Sequence, residues 1–373
     1  MSGPRTYLDY NATAPLLPAA QEAMVAALAL VGNPSSVHAE GRKARDVVET
    51  ARERVARLIG AKPSEVVFTS GAAEANATVM AGPWSWIAGA RIEHETVLAG
   101  LARPDVEVIG LPVGLDGVVD VSPRSLVGEG SRRLLTLQLA NNETGVIQPV
   151  ADAAAMAREH GYAVHCDAVQ GLGRLPIDFA ALGVDFMSLS AHKIGGPKGI
   201  GALVERDGAS LPALIPGGQE RRRRGGTENV AAIVGFGAAA EAAQVALGDM
   251  ARLAGLRDRL EREIRQIAPD VVIIGEQARR LPNTSCLAWP AMRAETLVIR
   301  LDLMGIAVSA GSACSSGKVG ASHVLAAMGL DAAVARGAIR VSLGHGSTAA
   351  DIDRLLAAVA GIVAPERCLA LGV

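Results

Sequence analysis

Short apolar runs alternating with helical stretches constrain this chain more than any other feature. "EVVFTS" (65–70), "EVIGLPV", "RLLTLQLA", "AVHCDAV", "DFMSLSA" and "GIGALVE" read as strands, while "GAAEANATVMAG" and "PVADAAAMAREHG" read as helices. Strands separated by helices indicate an α/β protein on a mostly parallel sheet. Upstream, "SSVHAEGRKARDVVETARERVARLIG" predicts an amphipathic helix with a serine start and Gly60 at its stop. Near residue 245 the pattern changes to long charged helices, then to βαβ-like material, which places a domain boundary there. With 373 residues, half of them hydrophobic, the chain is long enough for two domains.

Charge is nearly balanced, 36 Lys+Arg against 38 Asp+Glu, so nothing global suggests a nucleic-acid or membrane-surface protein. "MSGPRTYLDYNATAPLLP" has no apolar signal region, and no uncharged apolar run reaches the ~18 residues of a membrane span. The four cysteines, Cys166, Cys286, Cys314 and Cys368, are widely spaced and form no CxxC pair. A reduced, cytoplasmic protein is expected.

In open α/β sheets ligands collect at the carboxyl ends of strands. Three predicted strand ends carry unusual residues. "VVFTSGAAEAN" puts Gly71, Ala72 and Ala73 at a helix N-terminus, where free N–H groups suit a phosphate, although by itself this is an ordinary strand–helix turn. "YAVHCDAVQGLG" ends an apolar strand with Asp167. Alternation sends His165 and Asp167 to the face opposite Cys166, so the three cannot share a metal, and no metal site is expected. "DFMSLSAHKIGGPKGIGALV" sets Lys193 after Ser190 and His192, and its glycines lack the spacing of a P-loop. A lysine, a strand-end acid and a phosphate cradle are together what pyridoxal phosphate requires.

With these residues in place, the ordered series "YLDYNATAPLLP", "NPSSVHAEGRKAR", "FTSGAAEAN", "EHETVL", "NNETGVIQP", "HCDAVQGLG", "SLSAHKIGGPKGIGAL", "GGQERRRRGGTENV", "LPNTSC", "SAGSACSSG" and "RVSLG" resembles the cysteine desulfurases of the nitrogenase and iron–sulfur-cluster type, which are class V aminotransferase-like, fold-type I enzymes. The resemblance implies a large cofactor domain (15–247) with a mainly parallel seven-stranded sheet. A smaller α/β domain (1–14 and 248–373) would carry the catalytic cysteine, in a homodimer with shared sites. It further implies that Lys193 forms the internal aldimine, Asp167 pairs with the pyridinium nitrogen and Gln170 bonds the phenolate oxygen. His94 would stack on the ring as acid/base, and Ser190, His192, Ala72 and Ala73 would surround the phosphate. Thr227 would reach the partner's phosphate, and Asn142 and Arg340 would hold the substrate carboxylate. Arg221 and Arg224 would shape the entrance.

"VSAGSACSSGKVG" holds Cys314 among small residues, where a reactive rather than a packed thiol is expected. The resemblance makes Cys314 the nucleophile that takes sulfur from L-cysteine as a persulfide and leaves L-alanine. The sulfur would then pass to an acceptor protein, either a cluster scaffold or a thiolation relay for tRNA. Selenocysteine lysis and another class V aminotransfer reaction stand as alternatives, as does a non-enzymatic sulfur carrier. Ala73 and His345 depart from the family's usual residues.

Overall fold

The computed structural model describes residues 5–126, 128, 130, 132–310 and 322–371. Its central sheet has seven strands in the order Val66–Thr69, Gly201–Glu205, Phe186–Ser190, Tyr162–Asp167, Arg133–Thr136, Trp86–Ala90 and Glu107–Leu111. Every pair from Phe186–Ser190 outward to Glu107–Leu111 is parallel, and only Gly201–Glu205 runs against its two neighbours. Apart from the largely exposed edge strand Glu107–Leu111, these strands are buried on both faces, the setting in which strands form continuous apolar runs. Trp86–Ala90 ("WIAGA") escapes the sequence reading because small alanines and a glycine carry little β signal.

The strand order sends the chain out to the Glu107–Leu111 edge and back, so that most strand ends with unusual side chains open on one rim. Helices cover both faces. The Ala-rich helix Val230–Ala246 packs against Pro18–Leu28 and Ala39–Leu58. The run 230–267 is long and apolar enough to cross a membrane by length and composition, but half of its apolar window is buried in the protein. The expected serine start of Ala39–Leu58 is corrected: the cap is His38, whose side chain accepts the Gly41 N–H. His38 has the extended backbone that a capping position needs, and an imidazole nitrogen serves as acceptor as well as a hydroxyl would.

A second sheet contains Ser309–Ala310, Ala338–Ser342, Thr284–Ala288 and Val272–Ile274. All its pairs are antiparallel, which corrects the βαβ expectation for this stretch. The helix Ala294–Leu303 leads not to a neighbouring parallel strand but to Ile306–Ala307, which pairs with Thr6–Tyr7 near the N-terminus. Strand alternation splits this sheet between two cores. Ile273, Leu287, Ile339 and Val341 face the helices Met250–Ile267, Ala294–Leu303 and the C-terminal helix together with Leu8. Ile274, Cys286, Ala288 and Ala338 face the large body.

Candidate active site

The rim of the large sheet encloses a cavity of about 530 Å³. Strand Phe186–Ser190 runs into a tight turn, Ala191–Ile194, closed by Gly195 at φ 79°, and this turn brings Lys193 to the cavity wall. Its Nζ donates to the carbonyls of Asn11 and Ala12 at 2.5 and 2.9 Å. Alongside, a Cβ at Gly201 would stand 2.5 Å from the Leu189 carbonyl oxygen and 2.8 Å from the Gly71 Cα. Glycine at this strand start lets the turn before helix Ala72–Met80 lie directly on the sheet.

Asp167 closes strand Tyr162–Asp167 and is buried. Its Oδ2 accepts from Asn76 Nδ2 at 2.8 Å and its Oδ1 from the Val169 N–H at 3.0 Å. Asn76 sits on the helix that starts at the phosphate-type turn and also donates to Thr96 Oγ1 at 2.9 Å. Beneath the cavity, His165 is hydrogen-bonded through both ring nitrogens, to Thr136 Oγ1 and Ser188 Oγ, and burial pushes its pKa down to about 4. Burial pushes the Glu93 carboxyl up to about 8, so it stays protonated near neutral pH.

Ala72, Ala73, Ser190 and His192 line one end of the cavity. His192 Nδ1 lies 3.1 Å from Thr13 Oγ1. Burial, then the charges of Lys193, Lys198 and Arg174, push His192 down to about 4. Glu74, in the first turn of the same helix, accepts the Ser70 N–H at 2.7 Å and Arg224 Nε at 2.9 Å. Arg224 thereby ties the segment before Thr227 to the cradle. Thr227 itself lines an adjoining hollow, shared with Ser70 and Gly199, rather than the cavity holding Lys193. Arg221 is turned elsewhere: it donates to the Ser64 carbonyl and lines neither space.

His94 caps helix Glu95–Leu101 and lines the cavity. Its Nδ1 accepts the Thr96 N–H at 3.3 Å, so the neutral ring carries its proton on Nε2. Gln170 also lines the cavity and is buried, and its Nε2 donates to the Asn11 carbonyl at 3.1 Å.

At the other end Arg340, 2 % exposed, projects from strand Ala338–Ser342. Nη2 donates to Asp9 Oδ1 at 2.7 Å and Nη1 to the Asn142 carbonyl at 3.0 Å, while Nε is buried without a partner. Asp9 Oδ2 accepts from Ser309 Oγ at 2.8 Å, and Asn11 Nδ2 donates to the Asn142 carbonyl at 3.1 Å and to Thr284 Oγ1 at 3.0 Å. Asp9, Asn11 and Asn76 carry no role that the sequence alone reveals. They lie inside the quoted blocks "YLDYNATAPLLP" and "FTSGAAEAN", but no local spacing says what an aspartate or asparagine there would touch.

Cys314 lies outside the described residues. Just after its segment, Ser322 donates to Glu143 Oε2 at 2.6 Å, and burial pushes Glu143 up to about 7. Cys166 and Cys286 are free and buried within strands, and burial pushes both thiols up, which suits packing rather than nucleophilic work. Among the described residues no three His, Cys, Asp or Glu side chains gather as a metal set.

An α/β sheet that sets a lysine, an acid and a helix N-terminus around one rim cavity defines a class, and the comparisons agree with it. The chain belongs to the class-V aminotransferase family, whose model matches residues 6–355, and, by its relatives, to the cysteine desulfurases of that family. It is 44% identical to a cysteine desulfurase of Cereibacter sphaeroides, over 98% of this chain and 97% of that protein. It is 41% identical to an IscS-like cysteine desulfurase of Mycobacterium tuberculosis, over 98% of each chain. Among solved structures, a NifS-like protein from Rickettsia africae superposes with a TM-score of 0.89 at 34% identity, covering 96% of this chain and 99% of that one.

Enzymes of this family work with pyridoxal 5'-phosphate, and the residues here fit that group. Lys193 offers an amine, Asp167 a carboxylate for a pyridinium nitrogen, and helix Ala72–Met80 its unpaired N–H groups for a phosphate, all lining one cavity. The buried, unpartnered Nε of Arg340 supplies a donor at the opposite end.

Proposed function

We propose that this enzyme converts L-cysteine to L-alanine and takes the sulfur onto Cys314 as a persulfide. The observation that carries the reading is that Lys193, Asp167 and Arg340 line one cavity in a chain that also bears a thiol in a small-sided segment. Bound pyridoxal phosphate supplies an electron sink that acidifies the substrate's Cα–H. Asp167 keeps the ring nitrogen protonated, and Asn76 and the Val169 N–H hold that carboxylate in place. Arg340 receives the substrate carboxylate, its fork already oriented by Asp9 and the Asn142 carbonyl. Asn142 acts beside it.

Lys193 moves the proton at Cα, and its contacts with the Asn11 and Ala12 carbonyls hold the amine where the substrate arrives. His94, which lines the cavity, would lie against the cofactor ring and handle the proton of the substrate thiol. Cys314 then attacks the substrate sulfur: the S–S bond forms as the Cβ–S bond breaks, and the carbon skeleton leaves as alanine after protonation. Ser190 and His192 join the amides of Ala72 and Ala73 at the phosphate.

The working unit in this reading is a homodimer in which Thr227 completes the partner's phosphate site, in keeping with its exposed place outside its own cavity. Residues 15–247 form the cofactor domain, and 1–14 with 248–373 the domain that presents Cys314. The presence of Leu8 in the core of the second sheet supports that division. The unpaired buried thiols suit a reducing cytoplasm. The sulfur passes on to an acceptor protein, a cluster scaffold or a thiolation relay.

The test is to incubate purified holoenzyme with L-cysteine and measure alanine, then to map the persulfide by mass spectrometry. Alanine with a persulfide on Cys314 is the expected result. No alanine, or a persulfide confined to another cysteine, overturns the reading.

A further inference from the structure

Behind the cavity lies a buried guanidinium that the chemistry above leaves unused. Arg174 follows the Tyr162–Asp167 strand by a short turn and is 7 % exposed. Its Nη1 donates to the side-chain oxygen of Gln170 and to the Gln170 carbonyl at 3.1 Å, and its Nη2 to the Tyr10 carbonyl at 3.2 Å. All these acceptors are neutral, and among the described residues Arg174 makes no ion pair with a carboxylate. A buried cation satisfied only by carbonyls remains uncompensated in charge. Burial, with the charge of Arg340, accordingly pushes Arg174 down to about 9.

The hydrogen bonds also decide which way the Gln170 amide points. A glutamine amide carries an acceptor oxygen and a donor NH₂, whereas arginine only donates. The oxygen must therefore face Arg174, and the NH₂ must face away from it. One hydrogen of that NH₂ goes to the Asn11 carbonyl, the same carbonyl that accepts from Lys193. Gln170 lines the cavity, so its remaining donor serves whatever lies there. That ligand atom has to be an acceptor, and an anionic oxygen would answer the charge left open behind it.

We propose that Arg174 is a positioning residue for the cofactor: it locks Gln170 with its NH₂ toward the cavity and, through that polarised amide, presents positive charge to the anionic phenolate oxygen of pyridoxal phosphate. The proposal rests on the reading that this cofactor occupies the cavity.

The experiment is a pH titration of the visible absorbance of the holoenzyme in the wild type, Arg174→Leu, Arg174→Lys, Gln170→Ala and the double variant Arg174→Leu/Gln170→Ala. Loss of positive charge beside the chromophore favours its protonated form. Arg174→Leu should therefore move the titration midpoint upward by about one pH unit. Arg174→Lys, which keeps a charge, should recover most of the shift. Gln170→Ala should move the midpoint in the same direction, and the double variant no further than the larger single one, because the two act as one unit.

An unchanged midpoint in Arg174→Leu with cofactor bound overturns the proposal, as does full additivity of the two single shifts. If Arg174→Leu does not fold, Arg174→Gln removes the same charge with a polar side chain and is read identically. A wild-type protein that develops no visible absorbance with pyridoxal phosphate refutes the cofactor reading instead, so the two failures are told apart.

Discussion

The two ends of the cavity are built in different ways. At the cofactor end each functional side chain lies at or just beyond the end of its own strand: Asp167 and Gln170 after one, Ser190 and Lys193 after the next, Ala72 and Ala73 after a third. At the substrate end the chain joins its extremes. Asp9 and Arg340 are 331 positions apart; Asn11 joins the network from beside Asp9, and Asn142, Thr284 and Ser309 enter it from three other segments. A resident group can be held by short local motifs on a rigid sheet. A site that must admit a substrate is assembled across the junction between two cores.

That contrast predicts separate symptoms for damage at each end. The largest effect belongs to Cys314→Ala, which should lower alanine production by about 10³-fold or more while leaving cofactor absorbance intact. A variant that loses cofactor as well would make the thiol segment part of the cofactor end and break the distinction. Asp167→Asn comes next. It keeps the shape at the cofactor end but removes the charge, and turnover should fall on the order of 10²-fold with KM for cysteine little changed. Steady-state kinetics with cofactor content measured in parallel checks this split.

Arg340→Ala should show the reverse pattern. KM for cysteine should rise by about 10²-fold, the loss of a charge-assisted fork, while cofactor affinity measured by absorbance titration stays near wild type. Arg340→Lys should restore part of the loss, because the point charge survives and the bidentate geometry does not. Equal losses of cofactor and substrate affinity would show that the two ends behave as one.

The smallest effect concerns stability. The folded-state pKa of Glu93 is raised from 4.5 to about 8, so its stabilising contribution is full below pH 4.5 and is lost as pH rises through 8. His165 works oppositely: lowered from 6.5 to about 4, its contribution is present above pH 6.5 and is lost as pH falls through 4. Glu93→Gln should therefore flatten the decline in stability between pH 5 and 8, leaving the acid limb unchanged. Melting temperatures across that range test it, and an undiminished alkaline decline would assign the slope to another group.

The comparison also explains what could be read from residues alone. The strand ends of the large sheet were legible because a parallel strand buried on both faces is an uninterrupted apolar run, and a polar residue at its end stands out. Lys193 and Asp167 stand out that way, and the Ala72–Ala73 turn by its place at a helix start after a strand. Trp86–Ala90 does not, since alanine and glycine give no such contrast. The second sheet reads as βαβ in sequence because a strand, a helix and another strand do not reveal which strands pair. There the helix Ala294–Leu303 returns the chain to a partner at the N-terminus, Thr6–Tyr7.

By itself the sequence determined the α/β class, a lysine, an acid and a helix-starting turn at three strand ends, and the presence of one thiol in a small-sided segment. Periodicity and strand-end chemistry act over a few residues, so they are written locally. Only the tertiary structure decided that Asp9 orients Arg340, that Asn76 holds Asp167, and that Arg174 turns the amide of Gln170. Asparagine, aspartate and arginine have no periodic signature, and their function depends on which donor meets which acceptor. That pairing is settled when the buried polar groups of distant segments have to satisfy one another away from water.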